Sequence, residues 1–134
     1  MEVPDRSLTL TKTQAATRQV EAAIDALERG DFDVAVTLAG AAEDMIDREG
    51  LTLLSFIMNH PKVAHLQAKE WRRHLNQTRD WLKHSGPPDK VVIGLPAAAE
   101  MIARAATKLE ASDWTPRIDA FRLWYISNID DIME

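Results

Sequence analysis

Hydrophobic positions recur at steps of three and four along most of this chain, and they divide it into helices. From Thr11 to Arg29, Ala16, Val20, Ala23, Ile24 and Leu27 fall on one side of a helix, and Gly30 supplies its stop. A second helix, capped by Asp31 or Asp33, is predicted to reach about Glu49 ahead of Gly50. Its buried side would be Val34, Leu38, Ala41, Ala42, Met45 and Ile46. Both segments are rich in alanine, and small side chains let neighbouring helices approach closely. Leu51 to Met58 is apolar on most sides and reads as a short buried helix. Asn59-His60-Pro61 breaks it, because the residue before a proline avoids the helical region.

Pro61 to His84 is the longest helical pattern, closed by Gly86, Pro87 and Pro88. Ala68, Trp71, Leu75, Thr78 and Leu82 draw its apolar stripe. Ser85 to Leu95 reads as an irregular connection with one short extended piece, Val91-Val92-Ile93. Pro96 suits the first turn of the next helix, in which Ala98, Ile102, Ala105 and Leu109 share a face. Thr115-Pro116 is another helix start, an N-cap hydroxyl followed by a preset φ. That last helix runs to about Met133 and carries Ile118, Phe121, Trp124, Tyr125, Ile129 and Ile132.

No segment alternates over a full strand's length, and no internal repeat occurs. Short turns between successive helices imply antiparallel neighbours. The expectation is therefore an all-α fold, an up-and-down bundle of about five helices. At 134 residues it forms a single domain over residues 1–134, with residues 1–10 as a flexible lead-in. Trp124 and Tyr125 are adjacent and point roughly 100° apart on a helix. Either one is core and the other caps the bundle, or one side of this helix meets a second subunit. The second option makes a homodimer the expected assembly.

Composition narrows the class. Hydrophobic residues at 46% and charged residues at 28% are ordinary for a globular protein. No apolar run approaches the roughly 20 residues that a bilayer crossing needs, so no membrane role is expected. Residues 1–10 lack the basic-then-apolar pattern of a secretory leader. The absence of cysteine excludes disulfides and thiolate metal sites, and a cytoplasmic location is the default.

Charge changes the picture more. The net charge of −5 argues against a protein that coats nucleic acid non-specifically. Yet residues 62–90 hold seven Lys/Arg against three Asp/Glu, while residues 1–61 hold five against eleven. The cations gather on one helix, where Arg72, Asn76, Arg79 and Lys83 recur at helical steps beside the apolar stripe.

On that helix, Leu75 to His84 resembles the signature of HEPN domains (higher eukaryotes and prokaryotes nucleotide-binding). These are small helical bundles, often dimeric, whose motif is an Arg, a polar residue, and a His four to six residues beyond. Arg79, Asp80 and His84 match it, and no other Arg–His pair in the chain has the spacing. The likeness to small bacterial HEPN-like proteins extends to Gln14–Ala42 and to Ala120–Tyr125. The resemblance implies metal-independent RNA cleavage, in which the ribose 2′-OH attacks the adjacent phosphate, or nucleotide binding without cleavage.

The residue types suit that chemistry. The planar Arg79 fork matches phosphate oxygens and offsets charge building in the transition state. His84 is of the residue type that serves as general acid or base. Asp80 is placed to orient either one, and Lys83, Asn76 and Arg72 are the candidate substrate contacts. Five residues turn a helix by about 500°, however, leaving Arg79 and His84 roughly 140° apart. A working site therefore requires the helix to unwind at Lys83-His84, or two subunits to face their motifs across a cleft.

The alternative is a catalytically inert dimerising or partner-binding module with Arg79 and Lys83 paired to acidic helices, a candidate partner being a protein of antitoxin type. Glu43, Asp44 and Asp47 form an acidic cluster expected to face solvent. Metal chemistry is not indicated. The four His lie five, nine and ten residues apart, and Glu70 and His74 do not match the spacing of bundle di-metal sites. No cofactor is implied, since no glycine-rich phosphate loop or nucleophile elbow is present.

Overall fold

The computed structural model describes residues 1–4, 6–48 and 68–132, with the backbone alone for residues 68–72, 74 and 75. The chain is all-α, an up-and-down bundle, and no strand occurs among the described residues. The helix expected at Leu51–Met58 and the first turns of the helix expected from Pro61 lie outside the described residues.

Helix α1, Lys12–Arg29, opens with a capping box. The Gln14 amide donates to Thr11 Oγ1 at 3.1 Å, and the Thr11 amide donates back to Gln14 Oε1 at 2.9 Å. Gly30 ends the helix in the left-handed region at φ 80°, where its lack of a Cβ removes the usual steric cost. Ala16, Val20, Ala23, Ile24 and Leu27 are buried as their spacing predicts.

Helix α2 covers Phe32–Met45. It ends earlier than expected: Ile46 is already extended, at φ −109° and ψ 112°. Asp31 precedes the first turn but makes no side-chain cap, because its carboxylate accepts from Arg29 Nε at 3.1 Å. The buried face also differs from the predicted one. Ala35, Val36, Ala39, Gly40, Ala42 and Glu43 face inward, Val34 and Ala41 are exposed, and Leu38, Met45 and Ile46 are half-buried. The reason is geometric. This helix packs against α1 on one side and α4 on another, and two close approaches select the rows of small residues over the larger ones.

Helix α3, Ala68–Lys83, packs on α2 and α4. The connection after it contains no strand, and Val92 is fully exposed. Helix α4, Leu95–Lys108, is enclosed on nearly every side, with Ala98 to Ala103, Ala105 and Ala106 all buried. A 3₁₀ turn at Ala111–Asp113 leads to α5, Pro116–Ser127. The Ile118 amide donates to the Thr115 hydroxyl at 3.3 Å, the cap the sequence predicts.

The last helix is not continuous to Met133. Asn128 interrupts it, donating from its own side chain to the Trp124 carbonyl at 2.8 Å, and α6, Ile129–Ile132, follows. Tyr125 points into the core while Trp124 lies at the surface. The core itself is drawn from α1, α2, α4, α5 and α6. Helix α5 rests on α1 and α4, so α4 is flanked by α3 on one side and α5 on another.

Candidate functional site

The end of the basic helix is held by a polar cluster spanning three helices. From α3, the Arg79 side chain crosses α2 at Gly40. A Cβ there would stand 2.8 Å from Arg79 Cδ and 3.0 Å from Cγ, so glycine opens the lane. Beyond it, Arg79 Nη1 lies 3.3 Å from Glu43 Oε1 and 3.6 Å from Asp44 Oδ1. Its Nε sits 3.7 Å from Asp80 Oδ1, too long for a hydrogen bond.

Glu43 is shared. Arg104 of α4 donates from Nη2 to the same Glu43 Oε1 at 2.7 Å, and from Nη1 to Asn76 Oδ1 at 2.8 Å. The expectation that Glu43 faces solvent with Asp44 and Asp47 is corrected here. Its side chain is 11% exposed, and it sits one position round from Ala42 on the buried face of α2. Two guanidinium groups converge on this buried carboxylate, a charge-assisted arrangement stronger than a neutral one.

The remaining predicted site residues separate. Lys83 Nζ lies 3.7 Å from Asp44 Oδ2, beside Arg79 on a cavity of about 320 Å³ that Thr37, Ala41 and Leu82 also line. His84, exposed at the end of α3, borders a different groove of about 610 Å³ with Gln77, Asp80, Trp81, Pro88 and Val92. Trp81 fixes that groove by donating its indole N–H to the Pro88 carbonyl at 2.8 Å. Within this copy, then, Arg79 and His84 border separate openings, as their angular separation on the helix requires. Asp80 touches both sides, through the groove and through its approach to Arg79 Nε. Asn76 spends its carbonyl on Arg104. The Arg72 side chain lies outside the described residues.

A second buried polar pair went unread in the sequence. Glu100 of α4 accepts from the Tyr125 hydroxyl at 2.6 Å, while its other oxygen, Oε2, has no partner. Burial pushes the Glu100 carboxyl up to about 7, only partly opposed by the Tyr125 hydrogen bond and the charge of Arg104. Tyr125 is pushed up as well, by burial and then by the Glu100 charge. The available signal was position. Glu100 and Arg104 stand one turn apart within the alanine-rich apolar stretch Ala97–Ala106, where a charge must be answered.

Among the described residues no group of three or more His, Asp or Glu is arranged to hold a metal ion, and no helix is long and apolar enough to cross a membrane.

The Gly40 lane can be tested by a double-mutant cycle. Gly40→Ala should lower stability by about 1 kcal/mol, although alanine ordinarily gains up to about 1 kcal/mol over glycine inside a helix. With Arg79→Ala already present, the same change should stabilise. The expected coupling is about 1–2 kcal/mol in urea unfolding. A coupling near zero would show that the Arg79 stem does not occupy the lane.

No family model matches the chain, and neither a curated protein nor a solved structure matches it.

Proposed function

We propose that this chain is a HEPN-like helical module that acts by assembling with other macromolecules, itself included, rather than by cutting RNA. One observation supports this reading above others: the Arg79 guanidinium is engaged by Glu43 and Asp44 and borders an opening separate from the one at His84. A guanidinium surrounded by carboxylates is a poor phosphate clamp, because the field it would offer an anion is already cancelled. In this reading Arg79 is a strut between α3 and α2, and His84 is a surface residue at a helix end.

The ribonuclease or nucleotide-binding reading draws on a different observation. Asp80 borders the His84 groove and also approaches Arg79 Nε, so a twin copy presenting its own His84 to Arg79 would complete the set. The two readings part in one assay. Purified protein is incubated with single-stranded and hairpin RNA, with and without chelator, alongside Arg79→Ala and His84→Ala. Assembly without cleavage predicts intact RNA throughout, a measurable stability loss for Arg79→Ala and none for His84→Ala. Chelator-insensitive cleavage, lost in both variants while helicity persists, would replace it with the enzymatic reading.

A further inference from the structure

Glu100 sits where a charge is hardest to keep. It is 1% exposed in the middle of α4, with one oxygen accepting from the Tyr125 hydroxyl and Oε2 left without a partner. While the carboxyl holds a proton, that orphan oxygen costs one unmade hydrogen bond. Once the proton leaves, the same oxygen carries part of a buried charge, which costs far more.

Few groups can answer that charge. Arg104 stands one turn away on α4, but its Nη1 and Nη2 are already given to Asn76 of α3 and Glu43 of α2. The residues that α1 buries are Ala, Val, Ile and Leu, none of them ionisable. On α5, Arg117 pairs with Asp25 and Glu28 of α1, and Asp119 and Arg122 stand about half exposed 3.8 Å from each other. Asp130 and Asp131 of α6 are exposed, and that helix buries Ile129 and Ile132. Among the described residues, an ionised Glu100 is therefore relieved by water or not at all.

The way in for water lies beneath α5. Helix α4 also packs against α1, α2 and α3, whereas α5 is an outer layer whose Leu123, Trp124 and Ile126 are 59%, 38% and 43% exposed. The two ends of α5 are held differently. At its start, Arg117 ties it to α1, and the indole of Trp114 donates to the Ala106 carbonyl at 2.9 Å. Those ties do not involve Glu100. Towards its end, Tyr125 makes the hydrogen bond to α4, and Asn128 interrupts the helix three residues later.

We propose that Tyr125–Ile132, the last turn of α5 together with α6, is a proton-controlled latch, seated on α4 while Glu100 is neutral and released when Glu100 ionises, the Arg117 end staying pinned. The latch stands independently of the assembly reading above.

Linkage sets its window. Burial holds the seated Glu100 carboxyl up to about 7, against 4.5 once water reaches it. The seated form binds the proton more tightly, so release becomes easier as pH rises and levels off above 7. With these two values the released fraction grows about tenfold between pH 6 and pH 8.

Hydrogen exchange of the full chain, read by mass spectrometry and normalised to the unstructured-peptide rate at each pH, tests this. Protection over Tyr125–Ile132 should fall about tenfold from pH 6 to pH 8. It should barely respond to low urea, because a local release exposes little surface, while α1 should respond steeply through global unfolding. Glu100→Gln cannot ionise and should hold Tyr125–Ile132 at one level across the range. Equal protection and equal urea dependence for Tyr125–Ile132 and α1 would mean that this end leaves α4 only when the whole chain unfolds, which overturns the latch. Protection independent of pH in the wild type, or an equal fall in Glu100→Gln, would overturn it as well.

Discussion

Glu43→Ala is expected to destabilise the folded chain by about 3 kcal/mol, because it strips the shared carboxylate from two half-buried cations. Arg79 would keep Asp44 and a partly open surrounding, but Arg104, whose side chain is 13% exposed, would face Asn76 alone. The cost is mainly that of an unanswered charge, not of a missing attraction. Two companion variants separate those terms. Glu43→Gln keeps an oxygen for Arg104 and should lose less than Glu43→Ala. Glu43→Leu combined with Arg104→Met removes both charges and should recover much of the loss, since well-packed apolar replacements of buried pairs are often tolerated. Urea unfolding followed by circular dichroism reads all three. A loss below about 1 kcal/mol for Glu43→Ala would mean the site is wetter than its burial indicates.

The second large effect is a pH dependence set by Glu100. In the folded chain its carboxyl holds the proton up to about pH 7, whereas its ordinary value is 4.5. Between those two values the folded state binds more protons than the unfolded state, so stability must fall as pH rises. The contribution of the protonated group is complete below about pH 4.5 and is lost as pH climbs through 7. The interval corresponds to about 3 kcal/mol. Glu100→Gln keeps an oxygen for the Tyr125 hydroxyl and cannot ionise. Its advantage over the wild type should therefore grow from pH 5 to pH 8, as read by urea midpoints across that range. Parallel profiles for the two proteins would show that Glu100 does not titrate in the interval. Groups common to both proteins cancel in the difference.

How much of this was readable in advance follows from which forces are local. The ends of α1 and the start of α5 were legible, because Thr11, Gly30 and Thr115-Pro116 act on their own backbone. The face of α2 was not. Hydropathy ranks Val34 and Leu38 above Ala35 and Gly40, but a helix between two close neighbours is oriented by size, and that requirement comes from α1 and α4. The break at Asn128 was also missed, since Ile129 and Ile132 continue the apolar spacing across it. At the site, the angular separation of Arg79 and His84 could be computed from five positions on a helix. The carboxylate that receives Arg79 lies 36 positions earlier in the chain, and no spacing rule reaches that far. Arg104 was invisible for the same reason: its partners come from α2 and α3.

The enclosure of α4 has a mechanical consequence. Glu100 grips Tyr125, and Arg104, a single turn further along the same face of the rod, grips Glu43 and through it Arg79. A rod packed on nearly every side translates or rolls as a unit more readily than it bends. A displacement of Tyr125 on α5 would thus be felt, through this one rod, by the guanidinium at the end of α3.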